Sequence, residues 1–220
     1  MSDRDSFMDE VAEEVRRDRL YGLMRRYGWI AVLVVVLIVG GAAWREYSRA
    51  QAEAAAQAFG DAILASLANE EASDRVAALA AITPPSAGAE ALLSMMIAAE
   101  ASDSDGDAQL AADRLQAVST STDVPEIYRQ IAAFKLLTAP DSGLDADARR
   151  AGFEGLAAPG NPLRLLAEEQ LAWLDLAAGD HAAARTRLDA IVVDAETTAD
   201  LRLRATRLIV ALREGDDTAG

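Results

Sequence analysis

Hydrophobic and polar positions along the chain fall into three regimes. In the first, Phe7, Val11 and Val15 repeat at one-turn spacing, Glu and Arg cover the other face, and Ser6 with Asp9 resembles a capping box; this predicts an amphipathic helical segment over 1–26. In the second, Tyr27 to Trp44 (YGWIAVLVVVLIVGGAAW) runs 18 residues without a charge. As a helix it would span roughly 27 Å, close to the ~30 Å of a bilayer's hydrocarbon core. Tyr27 and Trp29 flank one end and Trp44 and Tyr47 the other, where aromatic rings favour the headgroup level. The run predicts a transmembrane helix over 27–44. A buried core helix is the alternative, although such helices rarely stay apolar on every face for this length.

In the third regime apolar residues recur at helical steps between breakers. Ala50 to Leu67 is alanine-rich with Gly60 as its one breaker, and predicts a helical stalk over 45–70. Beyond it, Thr83-Pro84-Pro85, Ser102 to Asp107, Ser119 to Pro125, Pro140 to Gly143, Pro159 to Pro162, Gly179-Asp180 and Asp194 to Thr198 mark off segments of ordinary helix length. Asp123 with Glu126, and Asn161 before Pro162, supply helix-start chemistry. No stretch alternates with period two, alanine is the commonest residue, and the expected body over 71–214 is all-α with a flexible tail at 215–220.

Within the body, one pattern occurs twice. GDAQLAADRLQAV from Gly106-Asp107 aligns with GDHAAARTRLDAI from Gly179-Asp180, so Ala111 matches Ala184, Arg114 matches Arg187 and Leu115 matches Leu188, with Val118 opposite Ile191. Upstream, Leu92-Leu93 and Ala99 fall opposite Leu165-Leu166 and Ala172 at the same offset. Each copy reads as a helix, a Gly-Asp turn, and a second helix with 108, 111, 115 and 118, or 181, 184, 188 and 191, on one face. Such a hairpin cannot bury its stripe alone, so neighbours must stack on it. Ile127, Ile131, Phe134 and Leu137, followed by Leu144 to Leu156, give a degenerate unit between the copies, weakened at Gly152 and Gly155. Leu201, Ala205, Leu208 and Leu212 predict a closing helix.

Charge fixes the expected topology. Five arginines (Arg16, Arg17, Arg19, Arg25, Arg26) precede the apolar run and two (Arg45, Arg49) follow it closely, which favours the N-terminus inside and the body translocated. Cleavage as a signal peptide near Ala50-Gln51-Ala52 is the rival; the 26-residue leader with seven acids is unlike a short basic one. Residues 45–220 carry 15 basic and 29 acidic side chains, a balance of −14 that repels phosphates and argues against nucleic acid. No cysteine is present, so disulfide and thiolate chemistry are excluded.

The Gly179-Asp180 turn, with Ala172, Ala184, Leu188 and Ile191 around it, resembles tetratricopeptide repeats, whose small residues let paired helices approach closely. His181 stands where those repeats carry an aromatic, and no proline follows Val193. Over nearly its full length the chain is similar to the YfgM-like ancillary subunits of the bacterial SecYEG translocon, best in DEVAEEVRRDRLYGLMRRYGW and GNPLRLLAEEQLAWLDLAAGD. The resemblance implies a single-pass inner-membrane protein with its N-terminus cytoplasmic. Its periplasmic repeat domain would contact the Sec translocon and periplasmic chaperones. An envelope assembly factor for cell-wall or cytochrome maturation machinery fits the same residues.

Catalytic chemistry finds no footing in the chain. His181 is the single histidine and reads as a helix-start packing residue. Asp103, Asp105 and Asp107 alternate, yet the glycine falls between the second and third acids and Arg114 stands where a calcium loop needs Glu; the segment reads as a solvated turn. Glu168-Glu169 reads as part of a charged outer helix face, and Trp173 as core or inter-repeat packing, with a ligand contact as the alternative. No phosphate loop, nucleophile elbow or metal signature occurs, so no cofactor, metal or small-molecule substrate is expected and the chain reads as a non-enzymatic scaffold.

Overall fold

The computed structural model describes the backbone of residues 3–103 and 107–219, and the side chains of 25, 29, 30, 32–102 and 107–213. Among the described residues the chain is all-helical: α1 (Asp3–Leu67), α2 (Ala72–Ala80), α3 (Ala87–Asp103), α4 (Ala108–Thr120), α5 (Glu126–Thr138), α6 (Ala146–Leu156), α7 (Arg164–Ala177), α8 (His181–Val193) and α9 (Ala199–Ala219). Two compact units divide between Gln57 and Ala58.

The first unit is the greater part of α1. The expected amphipathic face of Phe7, Val11 and Val15 lies outside the described side chains. From Val32 to Val39 every side chain is exposed, as are Trp29 and Trp44, so the apolar run is not the core helix that was its alternative. Among the described residues no helix is long and apolar enough to cross a membrane. Of the expected span 27–44, the side chains of Tyr27, Gly28 and Ala31 lie outside the described residues.

The second unit takes in the end of α1. Ile63 is buried with Leu79 of α2 and Leu93 and Ile97 of α3, and Phe59 and Leu67 pack against the same cluster. The segment expected as a stalk is therefore helical to Leu67, and its last turns belong to the folded body. From α2 onward each helix packs on the next in chain order, and α3 also touches α5. Three further apolar clusters follow: α3–α4–α5 around Ala98, Leu115 and Ala132; α5–α6–α7 around Leu137, Phe153 and Leu171; and α7–α8–α9 around Ala172, Leu188 and Ala205. A continuous core built from neighbour-to-neighbour contacts is the signature of stacked repeats.

The internal repeat is larger than a hairpin. Ala111, Leu115 and Val118 of α4 are buried, as are Ala184, Leu188 and Ile191 of α8. The next helices correspond at the same offset: Ala132 and Leu136 of α5 are buried like Ala205 and Ile209 of α9. Upstream the gapless alignment needs correction. Ala99 is exposed, whereas Ala98 is the fully packed counterpart of Ala172. The connection from α3 to α4 is one residue longer than that from α7 to α8, which shifts the register by one. The two copies are thus α2–α5 and α6–α9.

Local chemistry explains the turns. Gly179 adopts φ +80°, a left-handed conformation that costs an L-residue roughly 1–2 kcal/mol. It lets the Asp180 N–H reach the Asp175 carbonyl at 2.9 Å and the Gly179 N–H reach that of Leu176 at 3.0 Å, closing α7. Asp180 then caps α8 by accepting from the Ala183 N–H, as Asp107 caps α4 by accepting from Leu110; Gly106 lies outside the described residues. His181 is exposed at the start of α8 rather than packed, because the buried face begins at Ala184. Asn161 does not cap α7, since its side chain accepts from Leu163 and delays the helix to Arg164; α5 begins after Pro125 with no side-chain cap from Asp123. Beyond Leu212, α9 continues to Ala219 over most of the expected tail; one interior glycine, Gly215, costs only about 1 kcal/mol and does not end a helix.

The degenerate unit expected between the copies is instead the junction of the two, α5 closing the first and α6 opening the second; α6 starts at Ala146, capped by Asp145. On α5 Ile127 is exposed, and the buried face is Ala132, Leu136 and Leu137. Gly152 is a site of close approach rather than a weak point: a Cβ there would lie 2.5 Å from Leu137 Cδ2. Around Gly155 nothing lies within 4 Å of such a Cβ. Gly152→Ala should therefore destabilise by about 1 kcal/mol, overpacking outweighing the gain in helix propensity, and Gly155→Ala should stabilise by about 0.5 kcal/mol. Thermal melts of the two variants check the opposite signs.

Candidate functional site

Arginines tie the connections of the stack together. Arg149 of α6 donates to the carbonyls of Leu137, Ala139, Pro140 and Leu144 and to Ser142 Oγ, satisfying the end of α5 where no Gly-Asp turn exists. Arg129 donates to the Val124 carbonyl at 2.7 Å, and Arg202, its counterpart in the second copy, donates to the Thr197 carbonyl at 3.2 Å. Val124 and Thr197 are both buried in their loops. Arg75 to Glu100 and Arg150 to Asp175 each link the first two helices of a copy, at 2.6 and 2.7 Å.

Charge concentrates inside the second copy. Asp175 is 4% exposed and accepts from both Arg150 and Arg187, and Arg187 also holds Glu168 at 2.7 Å. Burial alone would lower the affinity of Arg187 for its proton; the hydrogen bonds to Glu168 and Asp175 outweigh it and raise its pKa. Glu169 is 5% exposed, which corrects the expectation of an outer-face acid pair. Both its oxygens accept from Arg204, from Nε at 2.8 Å and Nη2 at 2.7 Å, a planar fork that holds Arg204 protonated above its ordinary range.

That fork forms one wall of a cleft of about 460 Å³ between α7 and α9, lined by Glu169, Gln170, Trp173, Arg204, Arg207 and Leu208. Trp173 is 47% exposed at its edge, so it is not a core residue. Arg207 makes no ion pair among the described residues. The cleft thus offers an indole face, an aliphatic floor at Leu208 and an accessible guanidinium. That set suits adhesion to a polypeptide and holds no nucleophile–base pair.

Of the repeat-defining residues, Ala111, Leu115, Ala172, Ala184, Leu188 and Ile191 sit in the core, while Asp107, Gly179 and Asp180 form the turns. None of them lines the cleft. The cleft residues were missed because Glu169 and Arg204 are 35 positions apart and neither breaks the helical pattern of its own segment. Trp173 was the one visible signal. Asp105 lies outside the described residues, and Asp107 serves as a cap.

A second ionic clasp fixes the loop before α9. Arg164 of α7 donates to Asp194 at 2.9 Å and Glu196 at 2.7 Å. The Glu196 backbone N–H and then the Arg164 guanidinium hold Asp194 below the ordinary carboxylate range. A carboxylate depressed in the folded state adds stability above its unfolded pKa and loses it as pH falls through its folded one. Asp194→Asn should lower the melting temperature at neutral pH, and the gap from the parent should shrink below about pH 4. Melts across an acid pH series check this.

A family model for the tetratricopeptide repeat-like domain matches residues 24–140, just over half of the chain's 220 residues. The match begins ahead of the apolar run and ends after α5, so it takes in the first copy, and the second copy extends the same packing beyond it. No curated protein and no solved structure gives a significant match. Stacked helices, repeated register and the matched model agree: the chain belongs to the tetratricopeptide repeat-like domain family.

Proposed function

We propose that this protein is a non-enzymatic, single-pass membrane-anchored scaffold whose repeat domain works on the far side of the inner membrane. In this reading it is an ancillary component of the Sec translocon that connects it to periplasmic chaperones. The observation that carries the anchor is the apolar run from Val32 to Val39, every side chain of which is exposed among the described residues; a contiguous patch of this kind demands lipid or protein. Five arginines before the run against two after it support the orientation. The family match supports a protein-binding role, since repeats of this kind present surfaces to polypeptides.

Cross-linking in whole cells, membrane solubilisation in detergent and affinity purification test the reading. Translocon subunits together with a periplasmic chaperone are the expected co-purifying proteins. Recovery of one cell-wall or cytochrome maturation complex would replace this reading with that of an assembly factor. Recovery of the chain alone, or its appearance in the soluble fraction without detergent, would contradict the scaffold and the anchor respectively.

A further inference from the structure

The two copies differ where α7 faces α9. In the first copy the corresponding faces of α3 and α5 touch, and Met95 and Ile131 share an apolar cluster. In the second copy the places of Met95 and Ile131 are taken by Glu169 and Arg204, joined by the carboxylate–guanidinium fork. Exposed Ala99 corresponds to Trp173, and Phe134, which packs edge-on against Phe153 at 5.7 Å, corresponds to Arg207. Apolar closure in one copy has become a propped-open cleft in the other. The fork is a costly way to fill a helix interface, because the Glu169 carboxylate must be desolvated where an apolar side chain would serve, while Arg204 stays half exposed.

The cleft's charge is opposite to that of the chain. The protein carries a net −15, whereas α9 holds Arg202, Arg204, Arg207 and Arg213 with no acid between them. In the cleft Glu169 is neutralised by Arg204, which leaves Arg207 in excess beside the Trp173 indole and Leu208. We infer that the α7–α9 cleft is a docking site for a partner polypeptide segment that combines aliphatic or aromatic side chains with carboxylates. The apolar side chain lies against Trp173 and Leu208, and a carboxylate meets Arg207. The overall negative charge repels acidic segments elsewhere, so the positive cleft fixes where they bind. This deepens the scaffold reading and rests on it.

The test uses the full-length chain in detergent micelles and fluorescently labelled short peptides read by anisotropy. One peptide mixes Leu with Asp and Glu, a second has Lys for every acid, and a third has Ser for every Leu. The first should bind saturably and more weakly at high salt, and the other two should not bind. Arg207→Glu and Trp173→Ala should each weaken the first peptide by about tenfold or more without moving the melting temperature; both side chains are surface groups outside the core. Equal binding of the acidic and lysine peptides, or acidic-peptide binding untouched by both variants, would overturn the assignment. If that happens while cross-linking still recovers partners, the cleft assignment alone fails. If cross-linking recovers none, the scaffold reading fails with it.

Discussion

Helices in this stack approach one another through small side chains, and that closeness governs how the remaining residues pack. Ala91, Ala132, Ala167, Ala172, Ala184 and Ala205 are all fully buried, and each stands on a face where one helix meets the next. Alanine buries little apolar area, so such contacts yield modest stabilisation per residue. Larger side chains fill the gaps between: Leu79, Ile97, Phe153, Leu171, Leu188 and Ile191 are essentially inaccessible. Gly152 carries the same logic to its limit, with the Leu137 side chain occupying the space where a Cβ would be.

A fold with so many small contacts needs its connections held. The arginines at 129, 149 and 202 do this by donating to loop carbonyls that the helices leave unpaired. Against that background the second copy stands apart. It concentrates ion pairs in its interior, at Asp175 and Glu169, and opens where the first copy closes.

Much of this was legible in the sequence. The helices, the twofold repetition and the buried positions at 111, 115, 184, 188 and 191 follow from spacing alone, because a helix face recurs every three or four residues. The turn at Gly179-Asp180 was equally readable, since few residues other than glycine adopt positive φ. What escaped depends on distance in the chain or on single-residue register. Ala98 rather than Ala99 packs, because the intervening connection is one residue longer. Glu169 looked like an outer acid until Arg204 met it, and Gly152 looked like a defect until Leu137 filled its space. The size of the repeat, four helices and not two, appears only once α5 and α9 are seen to occupy equivalent places.

If the α7–α9 cleft is the docking site, binding to other proteins is concentrated where the second copy departs from the first. A photo-crosslinking amino acid placed at Trp173, and separately at the corresponding Ala99, tests it directly in living cells. Both positions are solvent-accessible, so accessibility does not favour either. Discrete protein adducts are expected from position 173 and none from 99. Adducts of equal yield from both positions, or from 99 alone, would contradict it.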